Sequence, residues 1–191
     1  PAVERPEIVA RGGGRIPGHR VSNSLEALDA SYAVGHRCIE IDLAWTSDKH
    51  VVLSRAWRSD EDVPTLEQFR ANADGLTAMV LEDLVEWMHA HDDAIVVVDL
   101  VHRPKRTLTR LAKRAGPLMS RMVPTVRSED EHDTAKALGF EAVILALNGG
   151  AGLNTREAAR FAREHRIVAV AMPKRRAAEV HERVARDLRR S

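Results

Sequence analysis

The chain has 191 residues, of which 44% are hydrophobic and 30% are charged, a balance typical of one globular domain and not of a disordered chain. The formal net charge of +1 gives no reason to expect a nucleic-acid partner, and no apolar run approaches the roughly 20 residues of a membrane span. The single cysteine, Cys38, excludes an internal disulfide framework, and the first residues do not resemble a signal peptide, so we expect a cytoplasmic protein.

Short apolar runs alternate with helical patterns in the first part of the chain. The segment "EIVAR" (7–11) is typical of a strand and runs into a glycine-rich loop. Ser24 is placed to cap the helix "SLEALDASYAV", which we expect to end at Gly35. "CIEIDLAW" (38–45) then alternates apolar and acidic residues as a strand does, and "VVLSRAW" (51–57) is a second extended run.

The same alternation continues to the end of the chain. "VPTLEQFRAN" and "LEDLVEWMHAH" have helical spacing, and "AIVVVDLV" is a β-branched run typical of a strand buried on both faces. The helices "KRTLTRLAKRAG", "EDEHDTAKALG" and "NTREAARFAREH" alternate with the strands "MVPTVR", "AVILAL" and "IVAVAMP", before an arginine-rich helix (174–191). Such alternation predicts a mostly parallel sheet of about six strand–helix units, about two fewer than a closed eight-stranded barrel of roughly 250 residues.

Two carboxylates stand out in the segment "IEIDLAWTSDKHVVLSRAW" (39–57). Glu40 and Asp42 lie two apart on the predicted strand, so both side chains point to the same face. An acidic pair that faces inward needs a cation to offset the cost of its burial. Arg55 follows thirteen residues after Asp42. The pair is therefore either a metal site or part of an ion-pair cluster with the arginine.

Several motifs in matching order resemble the glycerophosphodiester phosphodiesterase family, in its bacterial branch that is similar to phosphatidylinositol-specific phospholipase C. They are the glycine run (12–14), "NSLEALD", "EID" (40–42), "TSD" (46–48), Trp57, "VVVDL", "KALGFEAVILAL" and "VAMP" (170–173). The resemblance covers most of the chain. It implies a TIM-barrel-like (β/α) barrel over residues 1–191, shortened by about two strand–helix units at the C-terminus, with a site at the C-terminal ends of the strands.

The family cleaves phosphodiesters such as glycerophosphodiesters, usually with a divalent cation, and two histidines act as acid and base. The resemblance places the metal-holding acids of the family at Glu40, Asp42 and Asp99. Their oxygen ligands suit Mg²⁺ or Ca²⁺, if a cation is retained.

The sequence departs from the family where proton transfer is required. The first histidine falls on Ala10, and the second falls on Arg55, with Ala56 in place of the following aspartate. Alanine cannot transfer a proton and arginine is a poor base, so the loss of both groups removes about 5 kcal/mol or more of transition-state stabilisation. Other site positions carry a different polar group or none: Val101, Thr125, Arg127, Ala146 and Ala171. We therefore expect that the hydrolysis is lost.

Two arginines, Arg55 and Arg11, are further candidate site residues. Arg55 is placed to pair with Glu40 or Asp42 and to supply the charge of a metal; a retained cation and a ligand-binding or catalytic role for Arg55 are the alternatives. Arg11 matches a phosphate-contacting arginine of the family. Arg11, Arg15 and Arg55 with the glycine loop are placed to hold a phosphate or carboxylate, although a tight turn alone also explains the glycines.

The remaining candidates are two histidines and two tryptophans. His19 and His102 are predicted at the site face as proton-transfer groups, with exposed loop histidines as the alternative. Trp45 and Trp57 are predicted to flank the mouth, either packed or stacked on a ligand. Three hypotheses follow: a pocket repurposed for cyclisation, isomerisation or binding of a small, anionic ligand; a surviving metal-dependent phosphodiesterase; and a pseudoenzyme interaction module that forms a homodimer across its open sheet edges.

Overall fold

The computed structural model describes residues 9–14, 16–19, 22–55, 57, 62–147, 155–165 and 167–173. Six strands lie within these ranges: β1 (Cys38–Trp45), β2 (Val51–Leu53), β3 (Ile95–Leu100), β4 (Met122–Val126), β5 (Ile144–Ala146) and β6 (Ala169–Ala171). The α-helices are α1 (Leu25–Ala33), α2 (Leu66–Ala71), α3 (Leu81–Ala90), α4 (Pro104–Ala115), α5 (Glu129–Ala137) and α6 (Thr155–Glu164), and 3₁₀ helices span Arg11–Gly13 and Gly116–Arg121. None of these helices is both long enough and apolar enough to cross a membrane.

The described strands form one six-stranded sheet in the order β2-β1-β3-β4-β5-β6. Strand β2 runs antiparallel to β1, while β1, β3, β4, β5 and β6 pair in parallel. The mostly parallel α/β architecture confirms the prediction from the alternating pattern. Within the described residues the sheet does not close, so β2 and β6 are its two edges. The homodimer expected to cover such edges stays a prediction.

The segment predicted as a first strand makes only a short contact in its described part. Ala10 forms a parallel bridge with Ile39, in which the amide of Glu40 donates to the carbonyl of Ala10 at 2.8 Å. The chain then turns at once into the 3₁₀ helix at Arg11. The start of the predicted strand and the arginine-rich helix (174–191) lie outside the described residues.

Local sequence signals fix the ends of the helices. The hydroxyl of Ser24 accepts from the amide of Ala27, so α1 begins where the sequence predicts. Thr65 and Gln68 form a reciprocal capping box at the start of α2. At the glycine run, Gly14 has φ +115°, and a Cβ there would lie 1.8 Å from Oγ of Ser31. The loop therefore needs this glycine to approach α1.

The two faces of β1 have different surroundings. Ile39, Ile41 and Leu43 are fully buried in the main core between the sheet and the helices. Cys38, on the other face, packs in a small apolar cluster with Val97 and Val123. Cys38 is thus a core residue, and burial raises the pKa of its thiol to about 11. The carboxylates of the sequence motif lie on this second face, farther along the strand.

Candidate functional site

Three carboxylates meet on one face of the sheet, on β1 and β3. Glu40 and Asp42 alternate along β1, and Asp99 pairs in register with Asp42 on the neighbouring strand. One oxygen from each residue lies within 4.8 Å of the others. Asp42 and Asp99 are only 3% and 5% exposed. Parallel pairing therefore joins residues that are far apart in sequence into one acidic cluster.

Glu40 is contacted by the loop that precedes α1. Its Oε2 accepts from the amide of Gly12 at 3.1 Å and lies 3.5 Å from Nε of Arg11. Burial and the neighbouring Asp42 carboxylate nevertheless raise the pKa of Glu40 above its ordinary value. The amide of Gly12 in the glycine loop, predicted to approach an external anion, therefore donates to an internal carboxylate.

Asp42 is held by an asparagine on both its backbone and its side chain. Nδ2 of Asn23 donates to Oδ2 of Asp42 at 2.9 Å, and the amide of Asp42 donates to Oδ1 of Asn23 at 3.0 Å. Nε of Arg55 lies 3.8 Å from the same carboxylate oxygen. Burial raises the pKa of Asp42 in spite of the Asn23 hydrogen bond, and the Asp99 charge adds to the rise.

Asp99 has the shortest contacts of the three. Its Oδ1 accepts from the hydroxyl of Thr125 at 2.7 Å and from an amino group of Arg127 at 2.6 Å. The Arg127 guanidinium also donates to the carbonyl of Leu100 at 3.2 Å, and its backbone amide donates to Oε2 of Glu131 at 2.7 Å. Arg127 is thus fixed to β3 and α5 at once.

Each carboxylate of the cluster has an arginine as its neighbour. The pairs are Arg11 with Glu40, Arg55 with Asp42 and Arg127 with Asp99. The three arginines balance the three negative charges, and they differ in burial: Arg127 has a side chain 24% exposed, against 65% for Arg11 and 55% for Arg55.

The same carboxylates also fit a divalent cation. The arginine contacts engage one oxygen of each carboxylate, Oε2 of Glu40, Oδ2 of Asp42 and Oδ1 of Asp99. Three hard oxygen donors within 4.8 Å of one another match the ligand preference of Mg²⁺ and Ca²⁺. A cation bound there would supply Lewis-acid charge, and it would compete with the three guanidinium groups for the cluster.

A cavity of about 520 Å³ opens beside the cluster. Arg11, Glu40, Asp99 and Thr125 line its polar side. Its other walls come mainly from β5 and β6, and they include Ala146 and Ala171. These two alanines occupy positions where the resemblance leads us to expect polar groups, so this wall of the cavity is apolar.

The predicted histidines lie in different surroundings. His19 is half-buried and its Nδ1 lies 3.8 Å from a carboxylate oxygen of Asp74. It shares a second cavity, of about 340 Å³, with Arg55. His102 is half-buried just before α4, and its carbonyl accepts from the hydroxyl of Thr107 at 2.9 Å.

The two tryptophans contact each other and the neighbouring helices. Trp45 is 5% exposed in the main core, and its indole donates to the hydroxyl of Thr107 at 2.8 Å. The guanidinium of Arg106 lies 4.3 Å from the centre of its ring. Trp57 is half-buried and donates to the carbonyl of Trp45 at 2.8 Å. Arg15, the remaining predicted ligand residue, lies outside the described residues.

The sequence pattern does not predict two contacts of the cluster. Asn23 has φ +44° just before α1, and nothing in the local pattern connects it with Asp42. The resemblance marks Arg127 only as a departure from the family pattern, although this residue follows the end of β4 directly. Because neighbouring parallel strands end at the same edge of the sheet, the position of Arg127 after β4 indicates a partner for Asp99 near the end of β3.

Comparison with sequence families and curated proteins gives no match to this chain. Solved structures of glycerophosphodiester phosphodiesterases do match its fold. The enzyme from Thermotoga maritima aligns with a TM-score of 0.70 and 16% identity, over 98% of this chain and 83% of that chain. The enzyme from Parabacteroides distasonis aligns with a TM-score of 0.70 and 15% identity, over 94% of this chain and 78% of that chain. The fold resemblance to this family, predicted from the sequence, is therefore confirmed.

Proposed function

We propose that this protein is a degenerate relative of the glycerophosphodiester phosphodiesterases that has lost hydrolysis and uses its pocket for a small anionic molecule. The molecule is bound there, or undergoes a non-hydrolytic reaction such as cyclisation or isomerisation. One observation carries the proposal: each carboxylate of the cluster has an arginine beside it, and the two more exposed arginines each line a cavity, Arg11 that of about 520 Å³ and Arg55 that of about 340 Å³.

Two of the arginines are suited to receive an anion. Arg11 and Arg55 are more than half exposed, and their contacts with Glu40 and Asp42, at 3.5 and 3.8 Å, are long. A guanidinium has five donors in a planar fork that matches a phosphate or carboxylate. Among the described residues, most of these donors therefore remain for a ligand, whereas Arg127 is occupied by Asp99 and Leu100.

The proton-transfer groups support a reaction other than hydrolysis. Ala10 and Arg55 occupy the positions that match the histidines of the family, and neither acts as a general acid or base. Glu40 and Asp42 have raised pKa values because they are buried. Carboxyl groups of this kind exchange protons closer to neutral pH than exposed ones do, which suits acid–base chemistry on a bound molecule.

Thermal unfolding with inorganic phosphate and with glycerol 3-phosphate tests the proposal. We expect either anion to raise the Tm of the wild-type chain, and Arg11→Met and Arg55→Met to abolish the rise. Arg114→Met is the matched control, because Arg114 is a similarly exposed arginine paired with Glu82 on the helical layer. No rise in the wild type, or an equal rise in the Arg11 and Arg55 variants, would contradict the proposal.

A surviving metal-dependent phosphodiesterase is the second candidate, supported by the three carboxylate oxygens within 4.8 Å of one another. Its test is hydrolysis of bis-p-nitrophenyl phosphate with Mg²⁺, Ca²⁺ or Mn²⁺. Turnover that depends on the cation and disappears in Asp42→Ala would establish this activity. Turnover no higher than that of Asp42→Ala would exclude it and leave the first proposal in place.

A further inference from the structure

A second group of metal-ligating side chains lies on the helical layer, at α5 and the end of α6. His132 and Asp133 are neighbours on α5, and His165 directly follows α6. One ligand atom from each of the three lies within 4.8 Å of the others. The two imidazole rings are 4.4 Å apart between centroids, and the ring of Phe161 packs against both.

The hydrogen bonding of His132 is incomplete. The residue is only 6% exposed, and its Nδ1 lies 3.1 Å from the carboxylate of Asp133. Its Nε2 is buried and has no hydrogen-bond partner in the part of the chain that the structure describes. Buried polar groups normally have partners. This ring is therefore not a core histidine with all its hydrogen bonds made.

We propose that His132, Asp133 and His165 bind a divalent transition metal, with Zn²⁺ as the natural occupant. Imidazole nitrogens and a carboxylate oxygen are typical zinc ligands. Zinc–ligand bonds of roughly 2.0–2.1 Å place the ligand atoms of a tetrahedral site about 3.3 Å apart. The ligand atoms here lie within 4.8 Å of one another and reach that spacing through small side-chain movements.

A further acidic residue lies beside one of the three proposed ligands. Oε1 of Glu129 lies 3.7 Å from Nε2 of His165. The Glu129 and Asp133 carboxylates are both 68% exposed, which gives the metal a route from solvent. Bound metal would join α5 to the end of α6, the helices that precede and follow β5. The site is separate from the carboxylate cluster, and the inference does not rest on the proposed function.

The experiment uses the full chain without a polyhistidine tag, stripped with a chelator. Zn²⁺ affinity is measured by competition with a chromophoric zinc indicator, and Co²⁺ is added separately to record its visible absorption. We expect one Zn²⁺ per chain and the intense absorption of four-coordinate Co²⁺. Asp133→Asn and His165→Gln should each weaken Zn²⁺ binding by about tenfold or more, since loss even of outer-shell partners costs roughly 10–100-fold.

Two control variants locate the metal. His89→Gln changes an exposed histidine on α3 and should bind Zn²⁺ as the wild type does. Asp42→Asn impairs the carboxylate cluster and should also leave this binding intact. Because Asp133 is exposed, Asp133→Asn tests the metal site even if His165→Gln fails to fold. Absence of Zn²⁺ binding in the wild type, or binding that Asp42→Asn removes and Asp133→Asn does not, would overturn the proposal.

Discussion

Arg127 donates to the carboxylate of Asp99 at 2.6 Å and fixes the acidic cluster to the end of β4. The Asp99 side chain is 7% exposed and that of Arg127 24%, so this pair is more buried than an ordinary surface ion pair. Removal of one partner from a buried pair costs roughly 3–5 kcal/mol, because the other charge stays buried. We expect Arg127→Met to lower the free energy of unfolding by about 3 kcal/mol, the lower end of this range, in urea denaturation.

A double-mutant cycle with Asp99→Asn separates the pair from other effects of the substitution. Addition of Asp99→Asn to Arg127→Met should recover part of the loss. Arg160→Met is the control, since Arg160 forms an exposed contact of 3.6 Å with Glu164, worth less than about 1 kcal/mol. If Arg127→Met lowers the free energy of unfolding no more than Arg160→Met does, the pair of Arg127 and Asp99 does not stabilise the fold.

The arginines and a divalent cation should compete for the cluster. In the wild type, we expect Mg²⁺ or Ca²⁺ to change the Tm little, because Arg11, Arg55 and Arg127 already balance the negative charge of the three carboxylates. In Arg127→Met the same cation should raise the Tm by about 2–4 °C, as expected for about 1 kcal/mol in a chain of this size.

Asp42→Asn in the Arg127→Met background is the control for this measurement. It removes one carboxylate of the cluster, and the cation effect should shrink with it. A large Tm rise in the wild type that Arg127→Met does not increase would mean that a metal binds the cluster in spite of the arginines.

Asn23 should be the most sensitive position among the neighbours of Asp42. It is 4% exposed, makes two hydrogen bonds to Asp42 and has φ +44°. Asn23→Ala loses both bonds and leaves a left-handed backbone on alanine, for a total of about 3–4 kcal/mol. Asn23→Gly loses the same bonds without the backbone strain and should be about 1 kcal/mol milder in thermal or urea unfolding. Equal losses in the two variants would show that the hydrogen bonds alone account for the effect.

The alternation of side chains along a strand predicts one part of the cluster, the shared face of Glu40 and Asp42. Glu40 and Asp42 share a face because they are two residues apart on one strand. The same rule applies to Trp45, three residues after Asp42, and places its side chain on the opposite face, in the core with the helices. The sequence alone therefore places Trp45 on the face opposite the carboxylates, which favours the packed alternative over stacking on a ligand.

The rest of the cluster depends on tertiary structure. The contact between Asp99 and Arg127 joins residues 28 apart in sequence and needs the register of β3 with β4. Asn23 reaches Asp42 only because the loop before α1 adopts a left-handed turn. The predicted strand–helix alternation also does not include the antiparallel pairing of β2 with β1.

The stability of the protein should respond to pH in opposite directions at two glutamates. Burial, and then the Asp42 carboxylate, raise the pKa of Glu40. A group with a raised folded-state pKa contributes stability below its unfolded pKa and loses that contribution as the pH rises through the folded value. Glu40→Gln removes the buried charge, so its Tm should exceed that of the wild type at pH 7, and the difference should vanish in acid.

Glu26 is the matched control, with the opposite sign. Burial raises the pKa of Glu26, but hydrogen bonds from the hydroxyl and the amide of Thr77 outweigh it, and the net pKa is lowered. Its stability contribution is present above the unfolded pKa and is lost as the pH falls through the folded value. Glu26→Gln should therefore lower the Tm at pH 7, with a difference that shrinks in acid. A Glu40→Gln variant that is also less stable than the wild type at pH 7 would show that Arg11 and Gly12 more than compensate for the burial of this carboxylate.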